Sequence, residues 1–217
     1  MLNETQLAHS RVAILGLGLM GGSLALALRG RVAHLLAVER HVITRQTALR
    51  QGVVDEAVEE LAAAPPVDLL VLAAPVRVIL DTLGRLPALR PSGCAVVDLG
   101  STKRAVVAAM SALPPPFAAV GGHPMCGKET SGLDVAEAGL YCGAPFVLSP
   151  LPRTAPQTMT LTTHLALAVG ACPIELDPVR HDRLAAGISH VPYLAALAVF
   201  AAANDLAQED AMAWRLA

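Results

Sequence analysis

RVAILGLGLMGGSLALALRG, residues 11–30, begins as a β-rich apolar run, breaks at a cluster of glycines and resumes as a leucine–alanine helix. The pattern predicts a strand, a tight turn and a helix. Gly16, Gly18 and Gly21 stand at that turn in the spacing GxGxxG. In this context the first glycine permits the turn and the second lets backbone approach a pyrophosphate. The third lets the helix pack closely on the strand. The helix N-terminus, at Leu19 and Met20, then faces the phosphates with its N–H groups. About twenty residues on, AHLLAVE ends in Glu39, where a carboxylate can accept from ribose hydroxyls. The combination predicts a dinucleotide site. An acid there repels a 2′-phosphate and favours NAD, while Arg40 and Arg45 nearby leave NADP possible.

Downstream the pattern repeats. DLLVLAAP (68–75) and CAVVDLG (94–100) are apolar strands, each feeding a helix, the first from Val76 to Leu86 and the second beginning near Ser101. FAAVGGHP and APFVLSP follow as strands with a glycine loop and a short helix between them. Strands alternating with helices predict a doubly wound, mostly parallel sheet of the Rossmann type. After the proline-marked connector 151–158 come a helix, a short strand at 172–176 and a helix opening at Pro178. The division expected is a dinucleotide-binding domain, 1–176, and a shortened all-helical substrate and dimerisation region, 177–217.

Apolar residues make up 54% of the 217 and aromatics 3%, which calls for an aliphatic core between helices and a parallel sheet. A net charge of −2 offers no basic face for nucleic acid, so a small-molecule partner is expected. Four scattered cysteines form no metal-binding spacing and fit reduced thiols in the cytoplasm. No signal peptide is evident. Residues 12–28 and 184–203 approach the length of a membrane span without Lys, Arg, Asp or Glu. Glycines interrupt the first and Ser189, His190 and Pro192 the second, so both are read as buried elements of a soluble protein.

Three loops are expected at the carboxyl edge of the sheet, where ligands bind. They are LAAPV with Ala74 and Pro75, DLGSTK with Ser101, and GGHPM with His123. Ser101 is either a helix N-cap or a hydroxyl that orients a neighbouring imidazole. His123 is either a turn residue or a base that takes a hydroxyl proton while hydride leaves the same carbon.

DLGSTK, GGHPMCGKETSG and HDRLAAGISHVPY, in that order after GLGLMGGS, resemble the prephenate/arogenate dehydrogenases of tyrosine biosynthesis, from about Arg11 to Ala203. The resemblance implies an NAD(P)-dependent oxidative decarboxylation, of prephenate to 4-hydroxyphenylpyruvate or of arogenate to tyrosine. It makes His123 the proton acceptor, supported by Ser101. It puts Glu129, Asp182, Ser189 and His190 around the substrate, with Tyr193 where the family commonly has a second histidine. It also implies a homodimer made through the helical region, which Trp214 and Leu216 can join. The family's later arginine, which pairs with a substrate carboxylate, has no match here, since Arg215 lies outside any recognisable form of that motif. A partner subunit supplying that cation, or a weakened enzyme, is the corresponding expectation. Other readings are a hydroxyacid or imine reductase on the same fold, and a non-catalytic dinucleotide-binding module.

Overall fold

The computed structural model describes residues 4–209 and Met212, so Trp214, Arg215 and Leu216 lie outside the described residues. A short helix α1 (Glu4–Ala8) precedes β1 (Arg11–Leu15), α2 (Leu19–Leu28), β2 (His34–Val38), α3 (Val42–Arg50) and β3 (Glu56–Val58). Next come β4 (Leu69–Leu72), α4 (Val76–Leu89), β5 (Ala95–Asp98), α5 (Arg104–Ser111) and β6 (Ala118–Pro124). The chain continues through β7 (Pro145–Pro150), α6 (Pro156–Ala168), β8 (Cys172–Glu175), α7 (Pro178–Ala185) and α8 (Val191–Glu209), the last two joined by a π-helical turn, Ala186–His190. The strands make one sheet in the order β3-β2-β1-β4-β5-β6-β7-β8. All pairings are parallel except β6 with β7.

The strands read as unbroken apolar runs because both faces of the sheet are covered. Along β1 and β4 the side chains alternate between two cores. Val12, Ile14, Leu69 and Val71 join α2 and α6 on one face. Ala13, Leu70 and Leu72 meet Ile79, Leu83 and Leu86 of α4 and Val106 and Met110 of α5 on the other. Order reverses between β1 and β4, so the crevice at their carboxyl ends is the switch point at which such sheets bind ligands.

Several elements differ from expectation. No helix forms between β6 and β7, where residues 125–144 make only turns and bends. The helix after β5 starts at Arg104 instead of Ser101. Helix α4 runs on through Pro87 to Leu89, although the proline offers no N–H to the Leu83 carbonyl. Residues 12–28 are buried as read, but residues 184–203 are not. From Pro178 to Leu206 one continuous 29-residue helix is apolar and long enough to cross a membrane, with 6% of its most apolar window buried. Leu194, Leu197, Val199 and Phe200 are all exposed large apolar side chains on this helix.

Candidate active site

The crevice at the switch point is a cleft of about 470 Å³ lined by Gly16, Gly18, Glu39, Arg40, Ala74 and Pro75, among others. Gly16 has φ +95°, and a Cβ on Gly21 would lie 1.9 Å from the Gly16 carbonyl, so turn and helix can come together only as glycines. A Cβ on Gly18 would meet nothing within 4 Å. The space above it is open, and no side chain caps α2, whose N-cap is Gly18. An uncapped helix N-terminus under open space fits a pyrophosphate, by charge and by unsatisfied N–H groups. Glu39 is anchored by N–H donation from Leu17 (2.9 Å) and His41 (2.9 Å), one to each carboxylate oxygen. Each oxygen keeps a further lone pair for a ribose hydroxyl.

Across the sheet, β6 brings His123 to the same edge. The two preceding glycines are packing glycines. A Cβ on Gly121 would press Val107, and one on Gly122 would lie 2.4 Å from the Asp98 carbonyl oxygen. Asp98, fully buried, accepts from the backbone N–H of Gly100 (2.8 Å) and Gly122 (2.9 Å). The buried Lys103 ammonium donates to the Asp98 carboxylate and to the Gly122 carbonyl. Burial pushes Asp98 up and Lys103 down, and their mutual attraction opposes both shifts. The pair thereby clamps the peptide beside His123.

His123 donates or accepts at Nδ1 with His181 Nε2 (2.8 Å), and His181 Nδ1 meets Asp182 Oδ1 (2.8 Å). Asp182 also accepts from the backbone N–H of Lys103 (2.6 Å) and Arg104 (2.9 Å). Burial works to raise its pKa, but these bonds outweigh burial and hold the carboxyl below the usual range. An ionised carboxylate can only accept, so His181 carries its proton on Nδ1. In a neutral ring its Nε2 must then accept, and His123 Nδ1 donates to it. His123 Nε2 is left with its lone pair. Burial, then Lys103, His181 and His190, push the His123 pKa from 6.5 to about 3, with Asp182 pulling the other way. The imidazole is therefore neutral near pH 7, in the tautomer that presents its lone pair at Nε2.

Residues 24–175, more than two thirds of the chain, match the family described as prephenate dehydrogenase, nucleotide-binding domain. The chain belongs to the prephenate dehydrogenase family. It is 32% identical over 193 residues to a prephenate dehydrogenase of Bacillus subtilis, covering 85% of this chain and 51% of that protein. With that of Lactococcus lactis it shares 30% over 217 residues, 95% of this chain and 58% of the relative. The chain thus spans about half the length of these curated relatives. The arogenate dehydrogenase structure from Synechocystis superposes with a TM-score of 0.79 at 33% identity, covering 92% of this chain and 74% of that one. A structure of Aquifex aeolicus prephenate dehydrogenase in complex with hydroxyphenyl propionate and NAD+ gives 0.82 at 29% identity, covering 90% and 70%.

Within this prephenate dehydrogenase fold the expected residues separate into groups. Gly16, Gly18, Glu39, Arg40, Ala74 and Pro75 line one cleft, with Leu19, Met20 and Gly21 in the first turn of α2 beside it. Ser101 is exposed and is not the N-cap of α5. Asp182 performs that capping from α7 and orients His181. Its oxygens thus take three protein donors, two from backbone and one from His181. His190 and Ser189 sit on the π turn, a distortion frequent at functional sites. His190 lies close enough for its charge to be felt at His123. Tyr193 is 64% exposed and Glu129 is exposed on the loop 125–144. That loop is tied to α2 by Tyr141 Oη donating to the Met20 carbonyl (2.7 Å) and Glu137 N–H donating to Ser23 Oγ (3.0 Å). Reading the sequence alone left out His181, Lys103 and Asp98. The sequence signal for His181 was the HD pair itself, of which only the aspartate was used.

Proposed function

We propose that this chain carries the catalytic domain of an NAD-dependent dehydrogenase acting on prephenate or arogenate. The single observation that carries the reading is the chain Asp182–His181–His123, which leaves a neutral acceptor at His123 Nε2 on the same carboxyl edge of the sheet as the dinucleotide-type cleft. Bound NAD+ supplies the hydride acceptor. His123 Nε2 takes the proton of the ring hydroxyl as the carbon bearing it is oxidised. The ring carboxylate leaves as CO2, its bonding electrons entering the ring, and aromatisation drives the loss. Ser101 orients substrate, and Ser189, His190, Tyr193 and Glu129 border it. Gly16, Gly18, Leu19, Met20 and Gly21 hold the pyrophosphate, Glu39 the ribose, and Arg40, Ala74 and Pro75 the walls.

Residues 1–176 form the dinucleotide-binding domain in this reading, and 177–217 the helical substrate region. The exposed apolar face of α8 supports a homodimer, since contiguous apolar surface on that scale marks an association site. A cytoplasmic location suits the unpaired cysteines. The test is formation of reduced cofactor by the purified chain with prephenate and with arogenate, using NAD+ and NADP+ separately. Turnover that disappears in His123→Asn supports the proposal. A folded chain that binds NAD+ yet turns over neither substrate overturns it.

A further inference from the structure

Arg45 is the guanidinium that the sequence put next to Glu39, yet it does not line the cleft. Its side chain, 16% exposed, is folded back on the turn between β2 and α3. Nη1 donates to the backbone carbonyls of Glu39 (2.6 Å) and Arg40 (2.7 Å), and Nη2 donates to Glu59 Oε2 (2.9 Å). Glu59 follows the edge strand β3 and is itself a wall of the cleft, together with Glu60 and Asp81. Of the two arginines lining the cleft, Arg85 lies 3.7 Å from Asp81. The wall thus holds Glu39, Glu59, Glu60 and Asp81 against Arg40 and Arg85, an excess of two negative charges.

Resting on the dinucleotide reading above, we propose that Glu59 is a specificity-determining residue of this cleft. By holding Arg45 against the β2–α3 turn it keeps that guanidinium from pairing with a phosphate on the adenosine ribose, and so selects the dinucleotide without a 2′-phosphate. Glu39 repels such a phosphate directly. Glu59 acts by removing the cation that would attract it.

The test is calorimetric titration of the full chain with NAD+ and NADP+ in the absence of substrate, for the unaltered protein, Glu59→Ala and Glu59→Ala/Arg45→Gln. Glu59 is mostly exposed, so its removal leaves the fold intact, and thermal unfolding of each variant checks this. One charge-assisted pair gained corresponds to NADP+ binding roughly ten- to a hundredfold tighter in Glu59→Ala, a gain that exceeds any change in NAD+ affinity. That gain disappears in the double variant, which lacks the guanidinium. NADP+ affinity unchanged in Glu59→Ala overturns the proposal. A gain that survives in the double variant also overturns it, because direct repulsion by Glu59 would then be the cause. Failure of the unaltered chain to bind either dinucleotide would instead overturn the cofactor reading on which the proposal rests.

Discussion

At the β1–α2 turn the groups open to a ligand are backbone N–H donors, beneath space that Gly18 leaves free. At the end of β6 they are side chains from β5, α5, β6 and α7, buried against one another and coupled in charge. The first region tolerates solvent, because its ligand brings its own charge and the helix dipole meets it. The second is held away from solvent, and burial with Lys103 nearby keeps the His123 imidazole neutral well below pH 6.5 while Asp182 and His181 fix its tautomer. The two regions should therefore fail differently, one in binding and the other in chemistry.

The sharpest test of that contrast is His123→Asn. Loss of the acceptor lowers kcat by roughly 10²–10⁴-fold while NAD+ affinity stays level, measured by steady-state kinetics beside calorimetry. Replacing the relay is expected to cost less. His181→Phe lowers kcat by about 10²-fold through misplacement of His123 and alters the pH–rate profile. His181→Gln recovers part of the loss, since its carbonyl can still accept from His123 Nδ1; equal kinetics for the two variants would reduce His181 to packing. In the cleft, Gly21→Ala loses about 1–3 kcal/mol of stability through overpacking on the Gly16 carbonyl. Gly18→Ala keeps its melting temperature and loses dinucleotide affinity, and a matching drop in melting temperature for both would erase the distinction.

A smaller effect follows from protonation. His123 has a folded pKa of about 3 against an ordinary 6.5, so between those values the unfolded chain binds the extra proton. Its share of stability is thus intact above pH 6.5 and declines as pH falls towards 3, a slope that His123→Asn removes from denaturant titrations. The smallest change is Asp182→Asn, where weakening the cap on α5 costs about 1 kcal/mol near neutral pH. Because the Asp182 carboxyl is held low in the folded state, that difference narrows as acid protonates it.

Much of this was legible before folding. The strand–glycine–helix order of residues 11–30 and the acid at Glu39 could be read because backbone conformation is written locally, in which residues allow a tight turn. The edge strand β3 escaped notice because three half-buried residues carry no periodicity. His181 escaped because it is 58 residues from His123, and only docking of α7 against α5 gives it a partner. Ser101 looked like a cap because its type and place before a helix fit one. The cap came instead from Asp182, which lies close only in three dimensions.

By itself, the sequence determined the doubly wound sheet, the glycine cleft and the histidine at the carboxyl end of a later strand. Each depends on residue type over a few consecutive positions, through allowed dihedrals, apolar period and the need to cover both sheet faces. Tertiary structure decided which nitrogen of His123 is left open, that the Asp182 carboxylate is held by α5 and His181, and where the guanidinium of Arg45 lies. Those outcomes depend on distances of about 3 Å between residues far apart in the chain, and hydrogen-bond direction and desolvation act only once packing has set such distances.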